Sequence, residues 1–265
     1  MSTSLRHYAC GRTSHNLAQM FRGSASERRQ FPSGVFLFDA GPDRRVLFDT
    51  GYATGAWNTG LRGAAYRRLL PPVVTDADDI AVQLEADGVD PATITHVVLS
   101  HLHPDHIGGV RRFRDARFIL TAGQQQTLAA PRLREGLLPG LLPEWFPGAD
   151  TMILAPDDFT TLSVGSAVLR VFDLFGDGSY RIVDLPGHAA GHVGALVEGC
   201  VLIAADAAWG ADLIADIPQM RTVPRAVQHD YTAYVRTGEV LAAVADAGIR
   251  VVCSHDPVTS IELLA

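Results

Sequence analysis

Apolar positions in this chain gather into short runs that break at Gly, Pro and Asp clusters. Val35-Phe-Leu-Phe-Asp39 and Arg45-Val-Leu-Phe-Asp49, separated by Gly41-Pro-Asp43, predict a hairpin. Ile94-Thr-His-Val-Val-Leu99 is β-branched and apolar with Asp90-Pro91 upstream, which predicts a buried strand. The runs Ala167 to Phe172, Ile182 to Leu185, Val201 to Ala205 and Ile249 to Ser254 read the same way. Helical spacing appears after a cap at Thr75-Asp-Ala-Asp78, with Ile80, Ala81 and Leu84 on one face, and again from Asp230 to Ala247 with Gly248 as the stop. Gly108 and Gly109 permit a close turn into a helix beginning over Val110 to Phe113. Between Thr121 and Phe159 the chain is rich in Pro, Gly and Leu and fits neither period. The pattern predicts one domain over 1–265, with halves at about 1–121 and 160–265 and a pocket-covering insertion at about 122–159.

Chemistry concentrates where those strands end. His101-Leu-His103-Pro-Asp105-His106 places three imidazoles and a carboxylate in six residues directly after an apolar run, a demand that a metal site makes and few structural needs do. Imidazole suits zinc or iron, and a carboxylate in the same cluster fits a catalytic ion better than a closed structural site. Other strand ends supply more ligand types: His188 in Leu185-Pro-Gly-His188, Asp206 after Val201 to Ala205, and His255 after Ile249 to Ser254. His192 is an alternative ligand or a residue that supports one, and Asp49 is read as orienting the ligand loop.

The order Asp49-Thr50-Gly51, His101-x-His103-x-Asp105-His106, Pro186-Gly187-His188, Asp206 and His255 resembles the metallo-β-lactamase fold superfamily over nearly the whole chain. That resemblance implies an α+β, four-layer αβ/βα sandwich with the site at one edge, between the sheets. It also implies two divalent ions, zinc first, with iron, manganese or cobalt as alternatives. His101, His103 and His188 would hold one ion, Asp105, His106 and His255 the other, and Asp206 would bridge them. Such a pair lowers the pKa of a shared water, giving a bridging hydroxide that attacks a carbonyl. Asp105 and Asp206 are then the candidate proton carriers, although as ligands first.

Within the superfamily the chain is most similar to the N-acyl-homoserine lactonase-like branch, in length, ligand set and the late Ser254-His255-Asp256-Pro257. One departure concerns substrate. The branch carries a Tyr three residues after the bridging Asp, whereas this chain has Asp206-Ala-Ala-Trp209. Indole offers only an N–H donor and cannot act as a phenolic acid. The expectation is a hydrolase opening a lactone or related ester; an iron-dependent sulfur dioxygenase, a phosphodiesterase and a non-catalytic metal-binding regulator are the alternatives.

Composition narrows the partners. A formal net charge of -7 argues against nucleic acid. Lysine is absent, and Arg67-Arg68 and Arg111-Arg112 read as solvated surface charges. Cys10, Cys200 and Cys253 are odd in number, so a disulfide scaffold is not expected. The N-terminal residues lack an apolar signal-type core and no run is long enough to span a bilayer, which predicts a cytoplasmic protein without a membrane partner. Two irregular segments are candidate pocket walls: Tyr52 to Val74, with Trp57 and Tyr66, and Pro131 to Gly148, with Leu137, Leu138, Trp145 and Phe146. Their aromatics would wrap a small-molecule substrate, or else cover the outer core or a homodimer contact. His7, His15, His96 and His229 stand outside any motif.

Overall fold

The computed structural model describes residues 3–56, 59–132, 135–261 and 263. Strand β1 (Ser4–Asn16) leads through a helical turn, α1 (Leu17–Met20), into β2 (Arg28–Asp39) and β3 (Arg45–Phe48). Helices α2 (Gly60–Leu69) and α3 (Ile80–Ala86) precede β4 (His96–Val98), α4 (Pro104–Ile107), β5 (Arg117–Thr121), α5 (Ala122–Ala129) and β6 (Thr151–Leu154). The second half runs β7 (Thr160–Val164), β8 (Ala167–Asp173), β9 (Tyr180–Asp184), β10 (Val193–Val197), β11 (Val201–Ala205), α6 (Thr222–Ala226), α7 (Tyr231–Asp246) and β12 (Arg250–Cys253). Each half builds a six-stranded sheet, ordered β1-β2-β3-β4-β5-β6 and β12-β11-β10-β9-β8-β7. From β3 to β6 the first sheet is parallel, as is the β11–β12 pair of the second; the remaining pairs are antiparallel.

Successive side chains on a strand point to opposite faces, and here both faces are apolar. On β2, Val35 and Leu37 face outward to Ile80 and Leu84 of α3, while Phe36 and Phe38 face the opposite sheet. On β5, Phe118 and Leu120 point outward and Ile119 inward. The second sheet mirrors this: Ile182 and Ile203 enter the inner core, and Val183 and Leu202 pack beneath Leu241 and Val244 of α7. Three apolar cores therefore separate helices, sheet, sheet and helices, the αβ/βα sandwich that the resemblance implies.

Several local expectations need correction. The strand read over Ile94 to Leu99 pairs only over His96–Val98, because Pro91–Thr93 forms a 3-10 turn ending on Ile94. Thr75 caps only the 3-10 turn Asp76–Asp78; α3 has its own cap, Asp79, whose Oδ1 accepts the Ala81 amide at 3.0 Å. The helix expected at Val110 is a single 3-10 turn, Val110–Arg112, and the helical turn α4 lies inside the ligand motif. Proline's fixed φ suits that first helical position, and Pro104 occupies it. The first half does not end near Thr121. Thr121 caps α5, and β6 then pairs in parallel with β5, so 122–159 contributes an edge strand as well as a covering loop. Helix α7 forms as read, with Asp230 Oδ1 accepting the Ala233 amide at 3.0 Å.

Candidate metal centre

Every ligand-type residue singled out in the sequence follows the end of a strand: Asp49 after β3, the His101 motif after β4, His188 after β9, Asp206 after β11 and His255 after β12. Parallel pairing of β3 with β4 and of β11 with β12 brings these ends to the same edge of each sheet. The face-to-face packing of the sheets then brings the two sets of loops together. His101, His103 and His188 form one group of donor atoms, and Asp105, His106, Asp206 and His255 a second, with all atoms of a group within 4.8 Å of one another. Asp206 reaches both: its Oδ2 lies 3.4 Å from His188 Nε2 and 3.1 Å from His255 Nε2.

Fixed hydrogen bonds set which nitrogen of each ring faces inward. His255 Nδ1 must be a donor, since its partner at 2.7 Å is the Pro32 carbonyl. His106 Nδ1 donates to Asp49 Oδ2 at 2.8 Å. Ser100 Oγ donates to the same oxygen at 2.7 Å and so is left to accept from His101 Nδ1 at 3.0 Å. Each of these rings turns its Nε2 toward the cluster; in the metal-free chain, and against burial, Asp105 raises the His106 pKa well above the ordinary histidine value and Asp206 raises that of His255 to about 9. His101 Nε2, His106 Nε2 and Asp206 Oδ1 are buried with no hydrogen-bond partner among the described residues, a costly arrangement that a bound cation relieves. The donor set therefore fits divalent metal.

Burial, reinforced by neighbouring imidazoles, holds His101 well below the ordinary histidine pKa. Burial likewise lowers His103 and His188 to about 4. These rings are neutral near pH 7, the state in which imidazole ligates. For Asp105, burial pushes upward but the charge of His106 outweighs it, holding the carboxyl at about 2. Asp206 is held well below the usual carboxylate range in the same way, against burial, by His255 and His106.

Asp49 lies fully buried at the turn after β3, with φ 63°, its Oδ1 accepting the Ser100 amide at 2.7 Å. It thus ties the ligand loop at both Ser100 and His106. His192 donates from Nδ1 to the Leu185 carbonyl at 2.9 Å and accepts the Asp206 amide at Nε2 at 3.2 Å. Both nitrogens are engaged, so it anchors Asp206. Trp209 stands edge-on to His188, ring centroids 6.5 Å apart. Tyr66 shares a 2.7 Å hydroxyl contact with Tyr52; burial first, then Asp105, raises both phenols well above their ordinary pKa. Trp145 and Phe146 instead pack on Phe118 in the outer core, which is the covering role rather than the pocket role. Trp57 lies outside the described residues.

Other site-building residues carried no motif. Gln124 donates from Nε2 to the Leu99 and Ser100 carbonyls at 2.7 and 2.9 Å, fixing the strand end before His101. Ser33 Oγ donates to the Asp105 carbonyl. Gln228 Oε1 meets His188 Nδ1 at 2.9 Å. Only the place of Ser100, a hydroxyl between an apolar run and the motif, is a signal visible in the sequence.

Comparison with known proteins agrees with this geometry. The family model for the metallo-beta-lactamase superfamily matches residues 28–254. An N-acyl homoserine lactonase AttM of Rhizobium johnstonii is 30% identical over 260 residues, covering 92% of this chain and 88% of its own length. Another AttM, from Azorhizobium caulinodans, is 30% identical over 201 residues, 70% of this chain and 67% of that protein. A probable metallo-hydrolase of Mycobacterium tuberculosis is 32% identical over 157 residues, 59% of this chain and 49% of its own. Among solved structures, an N-acyl homoserine lactone hydrolase with N-hexanoyl-L-homoserine at its catalytic metal centre superposes with a TM-score of 0.69 at 20% identity, covering 97% of this chain and 94% of that one. With the matched span taking in every strand but β1 and every ligand-type residue but the last, His255, the chain belongs to the metallo-beta-lactamase superfamily.

Proposed function

We propose that this chain is a dinuclear metal-dependent hydrolase that opens lactones or related carboxylic esters. The observation that carries the reading is the pair of donor groups joined by Asp206, with buried nitrogens and a carboxylate oxygen facing inward and unpartnered. His101, His103 and His188 would hold one ion, Asp105, His106 and His255 the other, and Asp206 both, with zinc the first candidate. When bound, the ions supply Lewis acidity toward a carbonyl and a water that ionises near neutral pH. The chain's own part is preorganisation. Asp49, Ser100 and Pro32 fix ring orientation from behind, so little reorganisation is needed as charge develops in the substrate. Asp105 and Asp206 are the carboxylates placed to take up a proton and pass it to the leaving oxygen, secondary to their role as ligands.

The loop at Gly136 lies directly on the His103 ring, where an added Cβ would collide with it, and is read as one wall of the substrate site. The AttM relatives are named as N-acyl homoserine lactonases, and they support a lactone. Trp209 leaves the acyl-homoserine lactones as one member of the panel to test. The described cysteines are free, which supports a reducing, cytoplasmic setting. No helix among the described residues is long and apolar enough to cross a membrane. A homodimer is part of the reading, with Leu61 and Leu69, 91% and 78% exposed on α2, as its supporting surface. The test is a hydrolysis screen of metal-replete protein over homoserine lactones, aliphatic lactones, aryl esters and phosphodiesters. Turnover of lactones or esters is expected; turnover of phosphodiesters alone would overturn the reading.

A further inference from the structure

His188 is held from behind by a side chain that no motif announces. Its Nδ1 lies 2.9 Å from Oε1 of Gln228, a residue only 7% exposed. The orientation of that amide follows from its other end, where Nε2 donates to the Pro224 carbonyl at 3.1 Å. A carbonyl can only accept, so the amide nitrogen must face Pro224 and the amide oxygen must face the ring. The ring nitrogen opposite that oxygen then has to carry the proton. His188 is thereby locked with its Nε2 lone pair toward the cluster, 3.1 Å from His103 Nδ1 and 3.4 Å from Asp206 Oδ2.

The backbone around Gln228 reinforces the same grip. The His229 amide donates to the His188 carbonyl at 3.0 Å, and the Asp230 amide to the Gly187 carbonyl at 2.9 Å. Gly187 has φ 129°, and a Cβ there would lie 2.2 Å from the Tyr234 amide nitrogen, so the start of α7 sits directly on the histidine loop. Asp49, Ser100 and Pro32 serve His106, His101 and His255; Gln228 serves His188.

We infer that Gln228 is a positioning residue that fixes the tautomer of His188 and thereby sets the affinity of the ion held by His101, His103 and His188, leaving the other ion unaffected. The inference rests on the reading of His188 as a ligand. A neutral acceptor behind a ligating imidazole orients it and raises its basicity, and loss of such a partner costs about 10- to 100-fold in metal affinity.

Two measurements test it. In the metal-free native chain, long-range proton–nitrogen NMR should report His188 protonated at Nδ1; protonation at Nε2 would overturn the inference with no variant involved. Zinc competition against a chromophoric chelator then compares the native chain with Gln228→Met, which keeps the volume and loses the acceptor, and Gln228→Glu, which keeps an acceptor. The expected result is that Gln228→Met weakens one zinc equivalent by about 10- to 100-fold while the second is unchanged, and that Gln228→Glu restores it. Two equivalents bound by Gln228→Met as tightly as by the native chain would overturn the inference and leave the proposed function standing. A native chain that takes up no zinc would instead overturn the functional reading, and the tautomer measurement would still decide the role of Gln228.

Discussion

Asp49 shows how much of the donor cluster depends on groups that lie outside it. Its two oxygens accept from the Ser100 amide, Ser100 Oγ and His106 Nδ1, all buried. Replacing it by alanine strands those donors, each a buried group whose satisfaction is lost. Asp49→Ala is expected to lower zinc affinity about 10- to 100-fold, read by chelator competition; unchanged affinity would refute the role. His7 is a second case, far in character from the centre. It is buried against Phe36, ring centroids 4.3 Å apart, with neither nitrogen hydrogen-bonded among the described residues, and burial, then Arg250, lowers its pKa from 6.5 to about 4. Between those values the unfolded chain binds a proton that the folded chain does not, so stability falls as pH drops through that window, by at most about 1.4 kcal/mol per pH unit. Urea unfolding of metal-free His7→Phe should therefore show a smaller loss between pH 6.5 and pH 4 than the native chain. An equal loss would contradict it. At this scale the sequence was legible where chemistry repeats within a motif and silent where a lone Gln or Ser acts: nothing about Gln124 or Gln228 as letters distinguishes them from surface amides.

Elements carry the same argument to the loops. The turn after β3 and the motif after β4 are locked by backbone, with the Thr50 amide donating to the His106 carbonyl at 2.8 Å and the Gly108 amide to the Gly51 carbonyl at 2.8 Å. A Cβ on Gly109 would lie 2.5 Å from the Thr50 carbonyl oxygen, and one on Gly148 would meet nothing within 4 Å. Gly109→Ala should cost about 1–3 kcal/mol by overpacking, and should also weaken zinc binding, because the backbone that must shift is the one holding His106. Gly148→Ala should change neither. Urea denaturation and zinc titration of the pair check both statements, and equal behaviour of the two variants would refute them. Buried strands were readable because both faces are apolar, giving uninterrupted runs such as Val201 to Ala205. Strand β6 was not, since its four residues are mostly half-buried at the sheet edge and lie in a Pro-rich stretch. The capping signal at Thr75 was real but closed a 3-10 turn, and the helix behind it used Asp79.

On the scale of the whole molecule, the site joins two halves that also meet through an apolar inner core and through polar contacts such as Arg29 with Asp212 and the Val193 amide on the Ser100 carbonyl. His101, His103, Asp105 and His106 come from the first sheet's loops, His188, Asp206 and His255 from the second's. Ions held between them would favour the folded state by mass action, by about 4 kcal/mol when free metal is 1,000 times its dissociation constant. Thermal unfolding is thus expected to shift upward with added zinc and downward with chelator, and indifference to both would count against the account. The inner core that presses the sheets together should be costly to open. Ile203, fully buried between them, is expected to cost about 2–5 kcal/mol on truncation to alanine. The layered architecture was legible only through the family resemblance that the motif order at strand ends carries. The assignment of loop aromatics was not, because Trp145 and Phe146 on an irregular segment can face either core or cleft, and packing on Phe118 decided it. The most direct test of the central claim is zinc anomalous scattering from crystals of the metal-loaded chain. Two ions are predicted, one among His101, His103 and His188 and one among Asp105, His106 and His255, with Asp206 reaching both. A single ion, or ions lodged elsewhere, would contradict it.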